Sequence, residues 1–353
     1  MQSRRLLGLL ALAGLALVAA ACGGSQQGGG GGGGSESQQE VAEGGEAGTT
    51  EVCDVEPPGL NLEDAVVGFS QSEEEANPFR IAETQSIRDE AEERGVGELI
   101  VTNAQSQASK QISDIQDMLA QGAQILIVAP LNAEGLEPAF EAANDQGVPV
   151  FLIDREITAA PCENYITFMG SNFLEQGERA ADALAEATGE EGQVAILEGT
   201  PGASVTTDRT DGFNQRLEEA YPNMEVVASQ TGNFVRTEGQ SVMEQLLQSN
   251  PDINAVYAEN DEMALGAIQA MRDRGEQPGQ DIKIVSVDGT RQAVQGVVDG
   301  QINAVVETNP RFGPLAFGTI EQFLAGEPIP QKIIVQDRLY TPENAADELE
   351  STY

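Results

Sequence analysis

The chain contains no histidine and no tryptophan, three lysines among eighteen basic residues, and three cysteines. Without histidine there is no imidazole general base and no imidazole metal ligand. Aromatic residues make up only 5% of the chain, so any flat apolar contact to a ligand must come from phenylalanine or tyrosine. Positive charge is equally scarce. The 58 acidic residues leave a net charge of −40, which argues against nucleic acid or an anionic membrane surface as a partner. Acidity with so little lysine fits a salt-tolerant surface or plain solubility alike. No G-x-x-x-x-G-K-[ST] stretch occurs, so there is no phosphate loop, and the glycines at Gly199 and Gly202 read as a turn. What is present is 353 residues with 40% apolar content, enough for two ordinary domains with real cores.

Arg4 and Arg5 precede a run of apolar and glycine residues, LLGLLALAGLALVAAA, that ends at Cys22. A basic start, an apolar centre and small residues before a cut predict an export signal over residues 1–22. The run is too short to read as a retained membrane helix. Cys22 after Ala20 and Ala21 resembles the lipobox of bacterial lipoproteins, with Ala19 where leucine is more usual. The resemblance implies acylation of the Cys22 thiol and a chain lipid-anchored to the outer face of the cytoplasmic membrane, at the cell surface or in the periplasm. A plain signal peptide cut nearby is the alternative. Residues 23–57 begin with GGSQQ, seven further glycines and SESQQE. They are too polar to bury a core and predict a disordered tether, about 30 Å in root-mean-square span. An exported chain meets an oxidising compartment, so Cys53 and Cys162 are expected to form a disulfide that pins the tether to the body. Two unpaired buried thiols are the alternative.

From Asp64 onward, apolar runs alternate with amphipathic stretches. AVVGFS, ELIVTN, ILIVAP and VPVFLID read as strands, with helices between them at Arg80–Arg94, Ser109–Gln121 and Ala133–Gln146. A second series, YITFMG, QVAILEG, MEVVAS, INAVYAEN and IKIVSVDG, starts near Tyr165, and INAVVET and KIIVQDRLY follow. This pattern predicts an α/β fold with parallel sheets covered on both faces. Two such halves without a flexible linker predict two lobes crossed several times by the chain. In open parallel sheets, ligands bind beyond the carboxyl ends of the strands. The polar residues in that position are Ser70-Gln71, Asn103, Asp154-Arg155, Glu198, Glu259-Asn260-Asp261, Asp288 and Glu307-Thr308. Each alone fits a helix cap or turn; the whole set on one edge reads as a binding site.

FSQSEEEANPFR, FLIDREI, GTPGASVTTDRTDGF, NFVRTEGQSVMEQLL, AENDEMALGAIQAM and SVDGT, in that order, resemble the ribose-binding type of bacterial solute-binding proteins. VGFSQ, Arg80 and Glu83 in FRIAET, GASVTTDR and RLYTPENAADELE are most similar to galactofuranose-binding proteins. The resemblance implies a type I periplasmic binding protein: two doubly wound lobes, three hinge crossings and a sugar between them. The implied lobes are residues 58–170 with 309–334, and 171–308 with 335–353. It implies Phe79 and Phe234 as stacking aromatics and Asp154 with Arg155 as an acid–base pair for sugar hydroxyls, joined by Arg209, Asn260 and Asp288. Asn77 matches the ribose-binding pattern and Arg80 the galactofuranose-binding one. Glu307 or Thr308 takes the hinge-proximal position. Glu83, one turn after Arg80, orients that arginine or touches the ligand, while Asp261 reads as a helix start. The expected protein is a monomer with no cofactor and no enzymatic activity, which delivers a galactofuranose-like sugar, ribose, galactose or arabinose to an ABC transporter permease. A receptor for chemotaxis or signalling is the alternative. A sugar-sensing transcription regulator lacks its basic DNA-binding segment here, and a secreted glycosidase would rest on paired carboxylates, which 58 acidic residues make inevitable by chance.

Overall fold

The alternation of apolar runs and amphipathic stretches becomes two parallel sheets in a computed structural model that describes residues 45–353. The expected export signal, Cys22 and the tether up to residue 44 lie outside the described residues. Strands are β1 (Glu46–Ala47), β2 (Val52–Cys53), β3 (Val66–Gln71), β4 (Glu98–Asn103), β5 (Ile125–Val128), β6 (Val150–Ile153), β7 (Thr167–Gly170) and β8 (Gly192–Glu198). They continue with β9 (Met224–Thr231), β10 (Ala255–Ala258), β11 (Lys283–Asp288), β12 (Ala304–Glu307), β13 (Ile329–Pro330), β14 (Lys332–Ile334) and β15 (Leu339–Tyr340). Helices are α1 (Pro78–Glu93), α2 (Ala108–Ala120), α3 (Glu137–Asp145), α4 (Phe173–Thr188), α5 (Ser204–Ala220), α6 (Arg236–Ser249), α7 (Asp261–Asp273), α8 (Arg291–Val298), α9 (Gly313–Leu324) and α10 (Ala345–Glu348).

The first sheet has the order β1-β14-β7-β6-β5-β3-β4 and the second β15-β12-β11-β10-β8-β9. Within each, the successive parallel strands follow one doubly wound order: β4-β3-β5-β6-β7 in the first and β9-β8-β10-β11-β12 in the second. That order places a switch point, and hence a crevice, at the carboxyl edge of each sheet. The β-strand period of two explains the continuous apolar runs. In β5, Ile125 and Ile127 pack towards α1 and α9, while Leu126 and Val128 pack towards α2 and α3. In the second sheet, Val194 and Ile196 face α4 and α5; Ala195 and Leu197 face α6, α7 and α8.

The chain passes between the sheets three times, after β7, after β12 and between β14 and β15. KIIVQDRLY, which reads as one strand, is therefore split between two sheets. One buried network ties all three crossings: Ser171 Oγ donates to Asp337 Oδ1 (3.1 Å). Gln176 Nε2 reaches Asp337 Oδ2 (2.7 Å), Thr308 Oγ1 (3.0 Å) and the Glu307 carbonyl (3.1 Å).

Two expectations are corrected here. The tether expected to run to residue 57 is folded from residue 45: β1 pairs antiparallel with β14 at the sheet edge, and β2 pairs with β13. Backbone groups on an open sheet edge recruit a neighbouring segment whatever its side chains. The helix read over Ala133–Gln146 starts at Glu137, because Ala133 is held by backbone bonds to Gly202 and Thr158 and Gly135 turns at φ +92°. Cys53 and Cys162 form the expected disulfide, closing a loop across 109 positions. A crosslink of that span contributes about 2–5 kcal/mol.

Candidate functional site

Asn77, Phe79, Arg80, Asp154, Arg155, Arg209, Phe234, Asn260 and Asp288 line one narrow cavity, together with Glu73 and Val205. The residues up to Arg155 come from the first-sheet lobe and those from Val205 onward from the second. The cavity therefore lies where the carboxyl edges of the two sheets face each other.

Local structure sets each group in place. Asn77 caps α1 through a bond from the Phe79 amide (2.8 Å), and Pro78 fits the first helical position, where an amide has no partner to lose. Asn260 caps α7, accepting from the Met263 amide (2.9 Å), and donates Nδ2 to the Phe234 carbonyl (3.2 Å). Both asparagines are caps that also face the cavity, so the capping and binding readings of strand-end residues are not exclusive. Asp154 follows β6 at φ +63° and Asp288 ends β11 at φ +128°, conformations non-glycine residues adopt rarely and which cluster at functional sites. Phe234 has φ +60°, and its ring lies where a side chain on Gly199 would be, 1.9 Å from an added Cβ. The glycine of the GTPG turn thus makes room for an aromatic wall.

Charge in the site is dense and paired. Arg80 Nη1 donates to Asp154 Oδ2 (2.6 Å) and Glu83 Oε2 (2.7 Å), and Arg80 Nε to Glu73 Oε2 (3.2 Å). Arg155 Nη2 donates to Glu73 Oε1 (2.6 Å), and its guanidinium lies 5.7 Å from the Phe234 ring centroid, across the lobes. Burial alone would raise the Glu73 carboxyl, yet the Arg155 and Arg80 guanidiniums hold it down at about 2. Burial, reinforced by the Asp154 charge and opposed by Arg80, pushes Glu83 up to about 7. Asp288 is raised well above the usual carboxylate range by burial, against the pull of Arg209. A carboxyl of that kind donates a hydrogen bond as readily as it accepts one.

Arg209 is locked from behind. Its Nε donates to Gln176 Oε1 (2.9 Å) and its Nη2 to Thr308 Oγ1 (2.7 Å), and it lies 3.7 Å from Asp288. Gln176 also belongs to the network at the three crossings, so that network and the arginine in the cavity wall share one side chain. Asp261 does more than start α7: its carboxylate accepts from the Ser286 hydroxyl and from the Gly289 and Thr290 amides, fixing the turn that carries Asp288.

Three expected contacts stand behind the cavity instead. Glu83 is fully buried between Gln71 and Arg80 and orients that arginine. Glu307 is taken up by the Tyr340 hydroxyl (2.9 Å) and the Arg338 amide (3.0 Å). Thr308 serves Arg209 and Gln176. Asn103 accepts from the Gln105 amide in its own turn, and Glu198 accepts from Ser229 on the neighbouring strand. Sequence reasoning missed Glu73. It stands beside Glu74 and Glu75, both exposed, and nothing in the run SEEEA marks which glutamate turns inward. Gln176, one of many glutamines on helices, carries no sequence signal either.

Residues 67–328 match the model of a periplasmic binding protein domain. The galactofuranose-binding protein YtfQ of Escherichia coli K12 is 37% identical over 289 residues, covering 80% of this chain and 90% of that protein. The ribose import binding protein RbsB of Bacillus subtilis is 36% identical over 297 residues, covering 82% and 93%. Among solved structures, a galactofuranose-binding protein superposes with a TM-score of 0.78 at 35% identity, covering 82% of this chain and 98% of that one. The periplasmic component of the arabinose ABC transporter of Shewanella sp. ANA-3, bound to α- and β-L-arabinofuranose, superposes with a TM-score of 0.77 at 37% identity, covering 81% and 95%. With a family model over most of its length and relatives above 30% identity along it, the chain belongs to the periplasmic binding proteins of the ribose- and galactofuranose-binding type.

Proposed function

We propose that this chain is an extracytoplasmic receptor that closes two lobes around a monosaccharide and hands it to the permease of an ABC importer. The observation that carries the reading is one cavity in which both lobes present hydroxyl-binding groups and a phenylalanine. A sugar is a ring of hydroxyls with apolar C–H faces, so a site for it needs convergent donors and acceptors with flat apolar groups beside them. Asp154 accepts hydroxyl protons, Arg155 and Arg209 donate charge-assisted bonds, Asn77, Asn260 and Asp288 serve further hydroxyls, and Phe79 and Phe234 flank the ring. The relatives named for galactofuranose, ribose and arabinofuranose support a five- or six-carbon sugar, with furanose forms foremost.

The lobes move as bodies, residues 58–170 with 309–334 against 171–308 with 335–353. A sugar stabilises the closed form because only there do both walls touch it. If closing costs a few kcal/mol, the differential affinity of a ligand spanning both lobes supplies it. The closed surface then docks on the permease, while a lipid on Cys22 keeps the receptor at the membrane. Calorimetric titration with D-galactose, L-arabinose and D-ribose tests the reading. It predicts saturable one-to-one binding of at least one of them; no binding to any of them, or turnover of a glycoside, contradicts it.

A further inference from the structure

Glu73 is the acid in the cavity wall that joins the two arginines of the first-sheet lobe. One of its oxygens accepts from Arg155 Nη2 at 2.6 Å and the other from Arg80 Nε at 3.2 Å. Arg80 and Arg155 are buried, at 4% and 2% side-chain exposure, and Glu73, at 12%, is the most exposed of their acidic partners. A carboxylate bridging two guanidiniums, one oxygen to each, is the position that the carboxylate of an anionic ligand would take. With Glu73 there, the position is filled from within. Arg155 Nε, buried and 3.6 Å from Asp154 Oδ2, makes no hydrogen bond within the chain, so a neutral hydroxyl is the partner this wall can still take.

We propose that Glu73 is a specificity-determining residue that acts as an internal anion, so that the site takes neutral sugars and refuses uronates and aldonates. The inference rests on the receptor reading above and adds its charge selectivity. A sugar carboxylate entering beside Glu73 and Asp154 meets like charge in a water-poor cleft, and repulsion of this kind is how sites reject a near-isosteric competitor. With Glu73 neutral, Arg155 Nη2 loses its carboxylate partner, and an anionic ligand supplies one.

The test is calorimetric titration of the wild-type chain, Glu73→Gln and Glu73→Ala with D-galactose, L-arabinose and D-galacturonate, with thermal melting as the control for folding. Wild type is expected to bind a neutral sugar and leave D-galacturonate unbound. Glu73→Gln is expected to gain on the order of tenfold or more in D-galacturonate affinity, the scale of one charge-assisted hydrogen bond. In Glu73→Ala, acetate at constant ionic strength is expected to restore neutral-sugar affinity by returning a carboxylate to the bridge, a rescue that a merely structural role does not give. Binding of a neutral sugar by wild type, with no gain for D-galacturonate in Glu73→Gln and no acetate rescue in Glu73→Ala, overturns the proposal and leaves the receptor reading standing. Wild-type binding of D-galacturonate as tight as that of the neutral sugar also overturns it. A wild type that binds none of the three sugars removes the receptor reading, and the proposal with it.

Discussion

Asp154→Asn separates the fold from the site most sharply. Asp154 follows the buried strand β6 in a left-handed conformation, φ +63°, which asparagine tolerates as well as aspartate. Its amide bonds to the Met169 carbonyl (3.0 Å) and is untouched by the change. Removing one member of a buried ion pair ordinarily costs about 3–5 kcal/mol, because the partner is stranded. Here Arg80 keeps Glu83 at 2.7 Å and Glu73 at 3.2 Å, so the cost to folding falls to about 1 kcal/mol, the scale of one hydrogen bond. Sugar binding suffers more. A carboxylate accepting two hydroxyl protons makes two charge-assisted bonds of about 1.5–3 kcal/mol each, and the asparagine carbonyl replaces one of them with a neutral bond of about 1 kcal/mol. The expected loss is about 2–5 kcal/mol, roughly 30- to 5,000-fold in affinity. Titration calorimetry and a denaturation curve on the same preparation read both quantities. A variant whose affinity drops less than about threefold while its stability is intact refutes the role given to Asp154.

Two further outcomes are expected from the packing and burial of the second lobe. Gly177→Ala places a Cβ 2.3 Å from the Arg209 carbonyl oxygen and 2.7 Å from the Phe213 amide, both backbone of α5. Helices α4 and α5 must part, at about 1–3 kcal/mol, and because Arg209 rides on α5, sugar affinity falls with the melting temperature; a variant as stable and as tight as wild type contradicts this packing. Burial pushes the Glu259 carboxyl up from 4.5 to about 8, so the folded chain keeps a proton that the unfolded chain releases near pH 4.5. The stability this gives is complete below pH 4.5 and is lost as pH rises through 8, in step with Glu83 and Asp337, both pushed up to about 7 by burial. Glu259→Gln, neutral at every pH, should flatten that slope by up to about 1 kcal/mol per pH unit in urea titrations from pH 5 to 8; identical slopes contradict it.

Most of the architecture is legible from the chain because buried parallel strands leave continuous apolar runs, and ILIV and VFLI cannot be solvated on either face. The carboxyl-edge rule then locates the wall residues, and Asp154, Asn260 and Asp288 fall where it puts them. Side-chain direction is less legible. Glu307 and Thr308 follow a strand as Asp288 does, yet Tyr340 and Arg338 claim one and Arg209 and Gln176 the other. Those partners lie far along the chain, and no local pattern announces them. Glu73 is hidden for the converse reason, as one acid in a run of three whose inward turn depends on two arginines placed by other elements. The ordered stretch from residue 45 escapes notice because a sheet edge recruits backbone, for which composition is no guide.

In the receptor reading, a sugar bridges the two lobes through the groups at their strand ends. A crystal structure of the chain grown with the tightest-binding monosaccharide tests it directly. The sugar is expected between Phe79 and Phe234, bonded to Asp154 from one lobe and to Arg209, Asn260 or Asp288 from the other. A sugar held by one lobe alone, or seated outside this cleft, contradicts it.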